Sequence, residues 1–498
     1  MDYFQLLCSI GVVLLALYYY YTSTFDHWRN RGIPGPRPTV LVGNFGDVFF
    51  KKISFSAKTK KLYNEYKDEP VFGMFEGMTP ILGVNDLDLI KDVFIKDFSV
   101  FADRGMPSFP KAEPLGDTLF SQKPDKWRPM RAKLSPVFTS GKLKEMFPLI
   151  LECASNLDKY INDVAEKGEP AEFRDIAGKF TTDVIGHCIF GINMNALGDK
   201  DSEFRKMGKR IFNPTLKLFF RDVLRQFTPT LYGRIGHLLQ PEGVDDFMIN
   251  VIHDTIKYRK ENNVFRPDFV NMLMDLKEHP EKLQNMELTD TVLAAQAFVF
   301  FAAGFETTSS TISHALYELA QHHDMQDKLR EEIKSAYEKH GKNLTYEVIK
   351  EMKYLDKVFK ETLRLYPVLP MVTREAIENY TLRGTKYTLE KGSKVWILVS
   401  GIHRDSNIFP NPDVFDPERF NDDAVAARHP MAYMPFGVGP RNCIGARFAN
   451  YQSKIGIITI LRNHKVDICE KTRIPYEADP KYFLMTLKDG MNLKLIKA

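Results

Sequence analysis

Cysteine is scarce in this 498-residue chain: Cys8, Cys153, Cys188, Cys443 and Cys469 make an odd number, with no CxxC pair and no histidine cluster beside them. That pattern argues against a disulfide scaffold and a zinc module, and it suits a reducing compartment for most of the chain. An excess of one charge is also missing. With 68 basic and 64 acidic side chains the formal net charge is only +4, so composition carries no sign of a nucleic-acid binder. After the first forty residues no Gly/Ser-rich or Pro-rich linker and no internal repeat divides the sequence, which points to one large folded unit. No flavin or dinucleotide fingerprint occurs; the Gly-x-Gly at 437–439 precedes a cysteine instead of opening a phosphate-binding helix.

What is present begins with YFQLLCSIGVVLLALYYYY, Tyr3 to Tyr21, an uncharged run with tyrosines gathered at one end. It is nearly long enough to cross a bilayer as a helix, and the tyrosines fit an interfacial belt. A cleaved signal peptide is the alternative, but Asp2 makes the leading end acidic and no small-residue cleavage site follows. Arg29, Arg31 and Arg37 come next, which by the positive-inside rule puts the bulk of the chain in the cytosol and the N-terminus across the membrane. The sequons at Asn343 and Asn379 should then stay unglycosylated. Three prolines and two glycines in RGIPGPRP (31–38) favour a stiff, extended connector. The expected organisation is an anchor at 1–25, a proline-rich hinge at 26–38 and one catalytic domain at 39–498.

Apolar residues three and four apart recur in KLKEMFPLILECASNLDKYINDVAEK, DIAGKFTTDVIGHCIFG and MQDKLREEIKSAYEKHG, each predicting a helix. Strand-like runs are fewer: FGMFEGMTPILGV (72–84) predicts a hairpin and Tyr380 to Ser400 a meander. The fold class expected is mainly α with a minor β portion. Thr291 to Ala320 is apolar on nearly every face until Glu306, the mark of a helix in the centre of a large core. Its middle, AGFETT (303–308), is expected to loosen into a local bulge, although Thr307 and Thr308 could simply bond back to carbonyls. An acid there must be used or paired. Glu361 and Arg364 lie three apart on one helical face, with Arg419 in FDPERF as a second partner. For IFNPTLKLFF (211–220) core packing is expected ahead of lipid contact.

The loop FGVGPRNCIG, Phe436 to Gly445, holds one thiol among three glycines. Glycines let the backbone fold tightly round the sulfur, turn N–H groups toward it and admit a flat ligand. The helix that follows favours an anion at its N-terminus. A haem iron with Cys443 as axial ligand fits this arrangement.

These motifs, taken in order, make the sequence similar to a microsomal cytochrome P450, and in detail it resembles insect xenobiotic-metabolising members. They are the anchor and hinge, Trp127-x-x-x-Arg131, Ala303-Gly-x-Glu-Thr307, Glu361-x-x-Arg364, Pro417-Glu-Arg-Phe420 and the cysteine loop. The resemblance implies a triangular helical body around haem b, with Cys443 bound to iron. It assigns Trp127, Arg131, Arg374 and Arg441 to the haem propionates, and Phe436, Gly437 and Gly445 to the haem cradle. Glu306 and Thr307 would guide protons to dioxygen. Glu361, Arg364 and Arg419 would brace the proximal side. Phe109, Leu119, Phe120, Phe301, Phe305, Leu369, Met371 and Phe483 would line the substrate pocket, though each could equally be plain core.

The implied reaction is insertion of one oxygen atom from O2 into small apolar substrates such as plant compounds or insecticides. Electrons would come from NADPH through a membrane reductase, with cytochrome b5 as an optional second donor. Lys133, Lys142, Lys144 and Arg447 could form the basic docking face. Two rivals share the iron ligand: an O2-independent isomerase or dehydratase, and a non-catalytic haem carrier. Neither needs Glu306 and Thr307 as a proton route.

Overall fold

The computed structural model describes residues 3–199, 202–266, 268–279, 281, 288–341 and 343–498. Its axis is one helix, Asp290–Gln321, buried along most of its length. Thr289 starts it by accepting the Val292 N–H at 3.2 Å, an N-cap that satisfies a donor with no intrahelical partner. The expected bulge is absent, and α geometry runs unbroken from end to end. Thr307 donates to the Ala303 carbonyl (2.6 Å) and Thr311 to the Thr307 carbonyl (2.9 Å), so these hydroxyls bond back within the ladder. Gly304 serves close packing instead: a Cβ there would sit 2.4 Å from Ile185 Cδ1, on the helix Phe173–Ile185 that crosses it.

The other predicted helices form at Ser140–Lys167, Phe173–Ile185 and His323–Lys339. They pack with Ala446–Asn463 and the central helix into one large apolar core. A second core lies under a four-stranded sheet ordered Val71–Glu76, Thr79–Val84, Lys394–Ile397, Val372–Glu375. The first two strands are the predicted hairpin, paired from Val71 opposite Val84 to Glu76 opposite Thr79. The expected meander is not one. Tyr380–Thr381 and Thr388–Leu389 pair with each other, while Lys394–Ile397 leaves to run parallel to the hairpin and antiparallel to Val372–Glu375. Val395, Trp396 and Ile397 are buried there, and covering them requires partners distant in sequence.

Tyr3–Thr22 is a 20-residue helix with mean hydropathy 1.6 and no part of that window buried. At 1.5 Å per residue it spans about 30 Å, the thickness of a hydrocarbon core. The segment after it is strapped to the hairpin: Trp28 Nε1 donates to the Met74 carbonyl (3.2 Å) and the Gly73 N–H to the Pro34 carbonyl (2.7 Å). Gly35 is required for this approach, since a Cβ there would lie 1.9 Å from the Gly73 oxygen. The 211–220 stretch meets the expectation of core packing only in part: Leu218 is buried and Ile211 and Phe212 pack against the main core. Asn213 and Pro214 split it between the helices Glu203–Phe212 and Leu216–Phe227, and Leu216 (78% exposed) and Phe220 (57%) face outward. Leu231, Ile235 and Leu238, on turns packed beside Leu216–Phe227, are exposed as well.

Candidate functional site

The loop before the last long helix is shaped by two glycines at positive φ, Gly437 (67°) and Gly439 (75°). Gly439 also passes so close to the Phe94 carbonyl that a Cβ would lie 2.0 Å from its oxygen. The Asn442 N–H donates to the Gly439 carbonyl (3.1 Å) and the Cys443 N–H to the Phe436 carbonyl (2.9 Å), closing a hairpin-like turn with Cys443 at its base. Phe436 reaches into a small apolar cluster with Phe359, Leu363 and Val368, tying the turn to the helix Lys353–Leu365. The helix Ala446–Asn463 begins three residues after the cysteine, directing its positive end toward the thiol.

Cys443 is surrounded by protein and yet keeps accessible surface, the combination that open space inside the fold produces. Burial pushes its pKa up, while the Gly445 N–H and the guanidinium groups of Arg131 and Arg104 pull the other way. Ala303 is exposed and Thr307 half-exposed in the middle of the otherwise buried central helix, so that helix too keeps accessible surface inside the fold. Glu306 points elsewhere. It is buried and paired with Arg174, whose guanidinium also lies over the Tyr482 ring at 5.2 Å.

Four guanidinium groups gather around Arg104, namely its own and those of Arg131, Arg374 and Arg441, and Arg104 and Arg131 act on the thiol itself. Arg131 is partly engaged, donating to the Asn442 carbonyl (2.9 Å) and side chain (3.0 Å). Arg441 donates to the Gln122 carbonyl and lies over the Trp127 ring at 4.7 Å. Arg374 stands on the edge strand Val372–Glu375, donates to the Thr373 carbonyl (2.8 Å) and lies over Phe94 at 4.8 Å. Burial lowers the pKa of Arg374 to about 9 and that of Arg441 to about 10, and the positive charge of Arg441 adds to the effect on Arg374. Among the described residues, Nε of Arg104 and Arg374, and Nε and Nη1 of Arg441, are buried without a hydrogen-bond partner. Buried cations with unspent donors are costly unless an anion faces them. The arrangement therefore suits a ligand carrying several acceptor oxygens.

Sequence reasoning missed Arg104, a single basic residue in a loop, for which no periodicity or motif gives a signal. It missed Arg174 as well, because the partner of Glu306 lies 132 residues away. The pocket residues divide. Leu119 is buried with its N–H on Gln296 Oε1 (2.8 Å), and Phe120 lies 3.9 Å under the Arg104 guanidinium, so both border the cation cluster or the central helix. Phe301 and Phe305 are fully buried against Phe204 and Phe212 (6.0 and 5.6 Å). Phe109 stacks edge-on against Tyr232 at 4.9 Å. Leu369 and Met371 are half-buried just before the Arg374 strand, and Phe483 is half-exposed against Phe55 at 5.1 Å.

Glu361 and Arg364 form a fully buried pair, with Arg419 Nε 3.4 Å from Glu361.

Comparison with known proteins agrees with this geometry. Residues 33–495 match the family described as Cytochrome P450. The chain is 40% identical to "Probable cytochrome P450 6a14" and 39% identical to "Cytochrome P450 6a2", both from Drosophila melanogaster. The first alignment covers 98% and the second 99% of each protein. It is 37% identical to "Cytochrome P450 6B2" of Helicoverpa armigera over 98% of this chain and 97% of the relative.

Proposed function

The chain belongs to the cytochrome P450 family, and on that footing we propose that it is a membrane-anchored monooxygenase for xenobiotics, inserting one atom of O2 into small apolar compounds such as plant metabolites or insecticides. Family membership makes it an oxidoreductase whose cofactor is haem b, supplied with electrons from NADPH through a reductase. The observation that carries the reading is the pairing of one loop-held thiol with buried guanidinium groups whose donors are unspent. Two propionates on a flat macrocycle match those donors, and charge-assisted bonds of this kind are among the stronger ones available.

Bound haem supplies the oxygen activation. In our reading the protein's own groups do the rest. Cys443 is the thiolate ligand, its negative charge favoured by the Gly445 N–H and by Arg131 and Arg104. Arg104, Arg131, Arg374 and Arg441 hold the propionates, Trp127 backs Arg441, and Gly437 and Gly445 leave room for the ring. Thr307 spends its proton on Ala303, so it offers acceptor lone pairs to the open space inside the fold and donates only after releasing that bond. Glu306 would carry protons only after parting from Arg174. The apolar side chains near that space exclude water from the reacting centre.

The exposed apolar side chains around Leu216 and Phe220 support contact with lipid, and Arg29, Arg31 and Arg37 support a cytosolic body on the endoplasmic reticulum. For a reductase, Lys133 and Arg447 are the stronger docking candidates. Lys142 is paired with Glu145 (2.6 Å) and Lys144 with Glu347 (2.5 Å), whereas the other two make no ion pair among the described residues.

The test is turnover with NADPH, a reductase and labelled O2 over a panel of plant phenolics, insecticides, fatty acids and steroids. Label is expected in products from the first two classes. Products formed without O2, or activity confined to steroids or fatty acids, would overturn it.

A further inference from the structure

The turn from Pro36 to Asp47 and the helix Phe55–Tyr66 frame a pocket of about 320 Å³. The turn is firmly held. Thr39 and Gly43 exchange backbone hydrogen bonds of 2.8 Å. The buried Asn44 side chain donates to the carbonyls of Pro36 (3.3 Å) and Arg37 (3.1 Å) and accepts the Phe75 N–H (2.7 Å). Five charged side chains line the space: Arg37, Asp47, Lys58, Lys61 and Glu65. Lys58 and Asp47 neutralise each other at 2.9 Å. Arg37, Lys61 and Glu65 are exposed and form no ion pair among the described residues, and Glu65 takes a hydrogen bond only from the neutral Tyr66 hydroxyl. Two cations and one acid are therefore uncommitted.

The pocket sits where the apolar helix Tyr3–Thr22 joins the body. Thr24, just past that helix, donates to the Met78 carbonyl at the hairpin tip (2.6 Å). The pocket's turn leans on the same tip, with Gly43 paired to Glu76 and the Asn44 N–H donating to the Phe75 carbonyl (2.8 Å). Val40 and Leu41 on the turn, and Phe50 just beyond it, are exposed. Leu41 holds φ 70°, a strained backbone for a branched apolar side chain that the fold leaves uncovered. Water does not stabilise such a display; hydrocarbon does. Uncommitted cations flanked by apolar side chains, at the end of a membrane-length helix, match the level at which lipid heads lie.

Building on the membrane-anchored reading, we propose that this pocket binds the head of phosphatidylserine, its phosphate and carboxylate on Arg37 and Lys61 and its ammonium on Glu65. Two negative groups and one positive group meet the complementary set, and the head's single net negative charge balances the surplus cation. One exposed ion pair is weak, but three on one compact head, presented by two fixed elements, act together. Glu65 supplies the selectivity, because it repels an anionic lipid that brings no ammonium.

Acylation of Lys61 by an amine-reactive reagent, read by mass spectrometry, reports occupancy without turnover. The full-length haem-loaded protein is placed in vesicles of phosphatidylcholine alone, or doped equally with phosphatidylserine or phosphatidylglycerol. Phosphatidylserine is expected to slow labelling of Lys61 about fivefold, the protection reached at about four times the dissociation constant, and phosphatidylglycerol to slow it by under about twofold. Arg37→Gln should abolish the protection, and Glu65→Gln should make the two lipids equal. Equal protection by both lipids in the parent protein, or none, overturns the proposal. So does equal protection by inorganic phosphate without lipid, the mark of a free-anion site. Flotation with pure phosphatidylcholine vesicles reads the anchor separately. Protein that floats yet shows no serine-dependent protection refutes the pocket alone, and protein that sinks refutes the anchored reading beneath it.

Discussion

Arg364 holds Glu361 by two parallel hydrogen bonds of 2.6 and 2.7 Å, and neither side chain reaches solvent. The remaining guanidinium donors go to the carbonyls of His403, Pro412 and Val414, and Glu361 takes the Asp416 N–H as well. Glu361→Ala leaves a buried cation without its partner and is expected to lower stability by about 3–5 kcal/mol. Arg364→Lys keeps the charge but loses the fork, and should fall most of the way toward that value. Urea unfolding of the haem-loaded protein measures both, and a loss under about 1 kcal/mol would show that the pair is no brace.

Arg374 should change sign with the cofactor. In the apoprotein its buried charge sits near that of Arg441, with Nε unpartnered. Arg374→Met is therefore expected to leave apoprotein stability unchanged or raise it, while speeding haem loss from the loaded protein about tenfold. Thermal unfolding of the apoprotein and haem transfer to apomyoglobin give the two numbers. Equal destabilisation of both forms would reduce Arg374 to a packing residue.

The loop glycines should separate in the same way. Gly439→Ala drives a Cβ into the Phe94 carbonyl at a φ that side chains avoid, so folding itself should suffer. Gly445 has φ −90° and nothing within 4 Å of a built Cβ. Gly445→Ala is expected to leave apoprotein stability within about 0.5 kcal/mol and to weaken haem retention. Circular dichroism and haem titration distinguish the two variants.

His314 gives a pH dependence of definite sign. It stacks on Tyr366 at 4.5 Å, Nδ1–H faces the Ser310 carbonyl (2.7 Å) and Nε2 accepts from Tyr476 Oη (2.9 Å). Burial, with a smaller push from Arg174, lowers its pKa from 6.5 to about 4. The unfolded chain thus binds a proton that the folded one refuses, and stability falls as pH drops from about 6.5 toward 4. Between pH 7 and 5 the native protein should lose about 2 kcal/mol more than His314→Phe. Equal losses in paired urea titrations would disprove the assignment.

Local features were legible in the sequence. The buried helix at Asp290–Gln321, the hairpin at 71–84 and the cysteine turn each follow from periodicity or glycine placement within a short window. Long-range features were not. The strand Lys394–Ile397 finds its parallel neighbour some 310 residues away, as in Ile81 opposite Lys394. The outward turn of Leu216 and Phe220 depends on the helix break at Asn213 and Pro214 and on which faces the rest of the fold leaves uncovered. Composition located the acid at 306, but only tertiary structure supplies its cation. The bulge expected at 303–308 treated poor helix formers as breakers, whereas packing against Ile185 turned Gly304 into an asset.

The strap from Trp28 to Gly35 has one more consequence. Through Met74 and Gly73 the segment from Trp28 to Gly35 is bolted along the hairpin, so the chain joins the body's frame from Trp28 on. If the apolar helix is anchored as proposed, the body's heading relative to the bilayer would be set when the hairpin folds, with the exposed apolar side chains around Leu216 held at one bearing. On the proposed reading, the supply of apolar compounds would then track oil–water partitioning more closely than aqueous concentration.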